Sequence, residues 1–426
     1  MSESIDLATA RRLALGASGL LPQASAGGEA FPRGAAGAAA AIGRLGSVQI
    51  DTISVVERAH HHVLWSRVPG YRLDAIPRLE GEPRLVFEYW SHAAAYLPLG
   101  EYRFCLPRMD RIRAEGHQWF RADQKAVAYV RDRIRAEGPL RAQDFAEPMK
   151  GARGWWDWKP AKIALEYLFH AGELFCLRRV GFQKLYDLAE RSLPPSLELA
   201  FPDAREQAAR HVDRAAASLG IFAPREVAYL RKDGVAGIPE EIEARLESGS
   251  LVRVEVEGLA ERSGRPLELL AEPAALEAAA APPATRPRAR ILSPFDPAII
   301  DRKRAARLLG LDYQLECYLP EAKRRFGYFA LPILYVDGSG GSGFVGLADA
   351  KAEREEGLLR LCRLAVAAPG AWAGRRRPSA SALASAIAAE LRRFAAFNGA
   401  ARVELGKVEA EDARFEPALE ARLEEN

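Results

Sequence analysis

Sulfur is scarce in this chain of 426 residues, which has four cysteines and three methionines. Cys105, Cys176, Cys317 and Cys362 stand far apart with no CxxC pair, which argues against a zinc site or a disulfide framework and fits a reducing compartment. No apolar run reaches the roughly 20 residues that span a bilayer, so no membrane partner is expected. The opening residues, MSESIDLATARRLALGASGLL, have no basic stretch followed by an apolar one, so no secretory signal is read and a cytoplasmic location is expected. A strong charge of one sign is also missing, since the net charge is only +3. What remains is a composition of 49% hydrophobic and 27% charged residues, that of a globular protein large enough for several domains.

The charge is unevenly spread. Residues 101–180 carry 16 Lys/Arg against 11 Asp/Glu, residues 286–327 carry 10 against 5, and the tail from Glu404 is acidic. Local basic excess in a near-neutral chain fits a face for a polyanion, although a solvated surface gives the same count.

Helical spacing marks residues 5–17 and 34–45, and a short strand at Val48–Ile50 precedes a helix predicted from Thr52 to Leu64. The clearest module follows. Asp123 to Glu137 reads as a helix stopped at Gly138-Pro139, and a short helix covers Ala142–Phe145. A longer helix starts at Pro160 and ends at Gly172, and two strands flank Gly181. Three helices and a hairpin form the winged-helix order, with Arg178, Arg179 and Lys184 on the wing. Residues 203–256 repeat the plan through helices at Asp203–Leu219, Pro224–Lys232 and Pro239–Gly249 and a strand at Leu251–Val256. Residues 273–290 read as a linker. Beyond it come strands at Tyr313–Leu319, Gly327–Leu334, Phe344–Ala350, Leu358–Ala367 and Ala401–Leu405, a flexible GSGGSG connection at 338–343, and a helix at 379–397. The expected fold is mainly α with an α+β C-terminal part: tandem winged-helix modules at 1–122, 123–195 and 196–272, and a β-rich sheet or barrel domain at 273–426.

The chemistry concentrates in SVQIDTISVVERAHHHVLWSRVPGY, residues 47–71. In a strand, Gln49 and Asp51 share one face while Ile50 points to the core. An amide beside a carboxylate can hold a water and stabilise a nearby positive charge. His60, His61, His62, Trp65 and Arg67 follow closely. Consecutive histidines on a helix face different ways and make a poor metal cage, so one is expected at the site, one in the core and one in solvent.

With these motifs in place the chain resembles the YcaQ/AlkZ-like family of winged-helix DNA glycosylases. The likeness rests on VQIDTISVVERAHHHVLWSRVPGY at 48–71, FEYWSHAAAYLP at 87–98, GWWDWKPAKIALEYLFHAGEL at 154–174 and SPFDPAIIDRKRAARLLGLDYQLECYLPEAKRRFGYFALPIL at 293–334. The family signature is Gln, an apolar residue, then Gln or Asp. Asp51 at the last position resembles the YcaQ branch, which implies a broad N7-alkylpurine enzyme, and departs from the Gln-ending branch tied to self-resistance against a crosslinking antibiotic.

The resemblance implies a monofunctional glycosylase that uses no cofactor and no metal. Its partner is double-stranded DNA carrying N7-alkylpurine adducts or crosslinks, which places the protein at the bacterial nucleoid when bound, and no obligate protein partner is expected. N7 alkylation leaves the purine cationic and ready to depart, so the enzyme need only stabilise an oxocarbenium-like sugar and deliver a water. Asp51 takes the charge and base role and Gln49 holds the water. No lysine stands between residues 47 and 71 to form a Schiff base. Expected DNA contacts are His60, His61, His62, Trp65, Arg67, Tyr89, Trp90, His92, Arg178, Arg179, Arg302, Lys303 and Arg325. Trp155, Trp156 and Trp158, between Arg153 and Lys159, could stack on nucleic acid or anchor a loop. Two competing readings use the same residues: a non-catalytic winged-helix regulator, and a metal-dependent nuclease built on the histidines and Asp51.

Overall fold

The structure, a computed structural model, describes residues 2–21, 29–117, 121–145, 158–230, 236–260, 264, 267–280, 286–367, 372, 374 and 377–425. The side chains of Trp155, Trp156 and Trp158 and of Arg153 and Lys159 lie outside this set. Contacts group the chain into two compact units, Met1–Leu73 with Ala209–Tyr229 and Gly237–Asn426, and Asp74–Ala208 with Leu230–Ala236.

The first unit is built on two sheets. One has five strands in the order Arg288–Ile291, Ala330–Val336, Ser342–Glu353, Leu358–Val366 and Arg402–Ala410, antiparallel except for the last pair. That parallel pair needs a crossover, and the helix Ala380–Phe397 supplies it, its N-terminus capped by Ser379 on the Ala382 N–H. Ala330–Val336 is buried at every position, as expected of a central strand covered on both faces. The second sheet pairs Ser2–Ile5 parallel to Val252–Val256, with Leu269–Ala271 and Ile221–Phe222 completing it. Ala10, Leu13, Ile221, Val254, Leu292 and Leu334 share one core, so residues expected in the first module, the third module and the C-terminal domain pack together.

The second unit holds the hairpin Val86–Trp90/Ala94–Pro98 and the helix Tyr102–Glu115. Next comes the helix Gln124–Glu137, with Asp123, read as its first residue, standing instead at the N-cap and accepting the Lys125 N–H. The strand Leu140–Arg141, the 3-10 turn Ala142–Phe145 and the helix Trp158–His170 follow, and then the hairpin Leu174–Val180/Gln183–Leu188. Gly172 ends the long helix at φ +72°, and a Cβ there would stand 2.5 Å from the Met109 sulfur, so both backbone and space demand glycine. Phe87, Tyr89, Val130, Leu165 and Phe175 fill this core. The order helix, short strand, 3-10 turn, helix, two strands recurs at Ala204–Leu219, Ile221–Phe222, Pro224–Glu226, Ile238–Ser248, Val252–Val256 and Leu269–Ala271. In both stretches the short first strand pairs with the last one.

Several expectations are corrected. Residues 273–290 are not a linker: Pro273–Ala280 is a helix and Arg288–Ile291 an edge strand. Tyr313–Leu319 is irregular, and of the helix expected at Pro224–Lys232 the described residues up to Leu230 hold only the 3-10 turn Pro224–Glu226, the last two lying outside the described residues. The helix predicted from Thr52 begins only at Ala59, since the residues before it are irregular, bend at Val55–Glu57 and are anchored elsewhere. The glycine-rich connection is a pinned turn, in which the Asp337 carboxylate accepts the N–H groups of Ser339 and Gly341.

Candidate active site

Val48 is fully buried and Ile50 nearly so, while Gln49 and Asp51 are half-buried. The strand is Val48–Gln49, shorter than expected, and burial still alternates through Ile50 and Asp51, so the amide and the carboxylate are the two partly exposed groups. Asp51 Oδ1 accepts the Ile53 N–H at 2.7 Å in an Asx turn, which directs the chain away from the strand. The segment that follows is fastened to the five-stranded sheet and to the end of the helix Ala380–Phe397. Ala352 N–H donates to Val55 O at 2.8 Å, and Glu57 N–H donates to Asn398 Oδ1 at 2.6 Å. The motif thus stands on a rigid scaffold, which a preorganised catalytic group needs.

Burial pushes the Asp51 carboxyl above its usual range, against a smaller opposite pull from the Ile53 and Thr52 N–H groups. A more basic carboxylate is a better proton acceptor. Burial raises the Cys317 thiol too, followed by the charge of Asp51. It likewise raises the Tyr318 phenol, followed by Cys317 and then Asp51. The Cys317–Tyr318 stretch therefore lies within Coulomb reach of Asp51. Sequence reasoning missed it; the available signal was an aromatic residue a short way ahead of the basic run Lys323, Arg324, Arg325.

The histidines are packing residues. His62 is buried, with Nε2 2.9 Å from Ile291 O and its ring 4.9 Å from that of Phe394. His61 Nδ1 is 2.7 Å from the Tyr71 hydroxyl, and His60 is buried against the His61 ring. Burial lowers both His61, helped by Arg58, and His62 to about 4, so both are neutral at pH 7. His60 and His62 are buried and His61 is half-buried, so none stands fully in solvent, contrary to expectation, and a neutral ring has no charge with which to grip phosphate.

Four further expected DNA contacts are also corrected by burial. Trp65 stacks on Phe397 with ring centroids 4.7 Å apart. Arg67 is sealed against Asp296. The buried Tyr89 donates its hydroxyl hydrogen to His170 O at 2.7 Å. Arg302 donates to Ile299 O and Pro294 O and lies over the Tyr313 ring, spending its guanidinium inside the fold. In the second unit, Arg179 grips the buried carboxylate of Glu88 through two 2.7 Å bonds. Trp90 and His92 are half-buried. Arg178, Lys303 and Arg325 are exposed and keep their cations in solvent.

The family model for DNA glycosylase AlkZ-like proteins matches residues 42–397, a span that includes Gln49, Asp51 and the Tyr318 loop. The chain belongs to the AlkZ-like DNA glycosylase family. It is accordingly a glycosylase enzyme of DNA repair, and the regulator and nuclease readings fall away. Its fold is similar to that of the solved DNA glycosylase AlkZ of Streptomyces sahachiroi, with a TM-score of 0.54 over 96% of this chain and 100% of that one at 16% identity.

Proposed function

We propose that this AlkZ-like glycosylase hydrolyses the N-glycosidic bond of N7-alkylated purines in duplex DNA, including the unhooking of crosslinks made through that atom. One observation carries the reading: Gln49, in the short strand Val48–Gln49, and Asp51, just past its end, are both half-buried between the buried Val48 and Ile50, and the segment that follows is fixed to the sheet through Ala352 and to the end of the helix Ala380–Phe397 through Asn398. A cationic purine leaves without a general acid. The remaining work suits a carboxylate, which stabilises the developing sugar cation and accepts a proton from water, with an amide to hold that water. Without a lysine among residues 47–71, no imine to the sugar is expected and the product is an abasic site with the backbone intact.

The element order shared by residues 124–188 and 204–271 supports winged-helix modules as the DNA-binding scaffold, and Arg178, Lys303 and Arg325 are the proposed phosphate contacts. The deciding experiment incubates the protein with an N7-methylguanine duplex in EDTA. Free base should appear while the strand stays whole until heat or alkali is applied. Direct nicking, or no base release, sinks the reading.

A further inference from the structure

Tyr318 is the most exposed of the large hydrophobic side chains described, at 75%. Its loop is braced at several points. The buried Glu316 carboxylate accepts the N–H groups of Arg325, Phe326 and Gly327 at 3.0, 2.8 and 3.2 Å. Leu319 N–H returns to Glu316 O, and Arg324 Nε donates to Leu319 O at 3.0 Å. Downstream, the Asp349 carboxylate holds the N–H groups of Tyr328 and Phe329. A ring held in water on a braced loop gains nothing for folding, because an aromatic side chain stabilises a fold by leaving water. Such a ring is preorganised for a flat partner.

Two features say which partner. The ring stands within Coulomb reach of Asp51, and the same loop carries the exposed cations Lys323 and Arg325, suited to a polyanion. A phenol face stacks on any nucleobase and attracts a cation further through its quadrupole. An N7-alkylated purine is both flat and cationic.

The geometry points to Tyr318 as a base-stacking residue of the active site, its ring lying on the face of the alkylated purine whose sugar faces Asp51. This rests on the N7-alkylpurine reading above and adds the source of lesion preference: the ring holds the cationic base more tightly than a neutral one.

The test uses the full-length protein and the variants Tyr318→Ala and Tyr318→Phe. Binding is measured on undamaged duplex and on a duplex whose N7-methylguanosine carries a 2′-fluoro-arabino sugar that blocks hydrolysis. Single-turnover excision is measured on the ordinary N7-methylguanine duplex. Tyr318→Ala should lose about 5- to 100-fold of the preference for damaged over undamaged DNA, and Tyr318→Phe should stay within about threefold of wild type. An alanine variant that keeps the preference, or that loses the same factor on both duplexes, overturns the stacking role while the glycosylase reading stands. A wild-type protein that neither prefers nor excises N7-methylguanine overturns both.

Discussion

Arg67 and Asp296 meet across 229 residues of sequence with both side chains wholly excluded from solvent, one guanidinium nitrogen lying 2.9 Å from each carboxylate oxygen. The remaining guanidinium hydrogens go to Ser18 O and Val63 O. The pair ties the segment after the Gln49–Asp51 motif to the loop that follows the edge strand Arg288–Ile291.

Removing one partner of such a pair leaves an uncompensated buried charge. Arg67→Ala should therefore destabilise the first unit by about 3–5 kcal/mol, seen as a lower denaturation midpoint. A residue gripping phosphate would instead change the salt dependence of DNA binding and leave stability alone, so comparing the two measurements decides between the roles.

Asp51→Asn keeps the shape of the side chain and removes its charge. Excision in single turnover should fall by on the order of a hundredfold or more with DNA affinity preserved. Gln49→Ala should also slow the step, and the double variant should lose less than the product of the two effects, because in the proposed reaction both residues serve one water and one sugar. Near-normal excision by a folded Asp51→Asn protein would make the motif structural.

Lys303 and Arg325 expose their cations, whereas Arg302 spends its guanidinium on Ile299 O, Pro294 O and the Tyr313 ring. Replacing Lys303 and Arg325 with alanine should flatten the slope of log affinity against log salt by roughly one unit each. Arg302→Ala should lower stability and leave that slope unchanged. A slope unmoved by the Lys303 and Arg325 changes removes both from the DNA face.

In the second unit, burial and then the nearby Glu88 push the Glu80 carboxyl up to about 8, against the opposing pull of Arg84, Arg179 and Arg178. A carboxyl whose folded value lies above its unfolded one favours folding in its protonated form. That contribution is complete below about pH 4.5 and is lost as pH climbs to about 8. Glu80→Gln, a neutral isostere, should remove this decline and make the protein more stable than wild type near pH 8. Unfolding curves at several pH values check it, and parallel pH profiles for the two proteins would refute it.

Local rules were readable from the sequence. Asp123 before an apolar-periodic run and Gly172 after one bounded their helices, and the alternation Val48, Gln49, Ile50, Asp51 foretold that Ile50 turns to the core. Errors arose where distant partners decide. Nothing near Arg67 in sequence announces Asp296, and nothing near Thr52–Arg58 announces that Ala352 and Asn398 hold that stretch irregular against its helical pattern. Polar residues clustered beside a catalytic motif read as ligands until burial makes them packing. Tyr318 erred the other way, since the irregular loop that displays it is set by Glu316 reaching forward to residues 325–327.

The strand Ser2–Ile5 finds its partner only at Val252–Val256. On a ribosome adding about 5–20 residues per second, it waits on the order of tens of seconds with its hydrogen-bonding edge bare. Residues 74–208, apart from the short return at 230–236, are complete long before that and can fold while the first unit is still being made. The order of synthesis thus runs against the order of assembly. Variants that slow closure of the N-terminal strand should show their defect as aggregation during expression, before any loss in the purified enzyme.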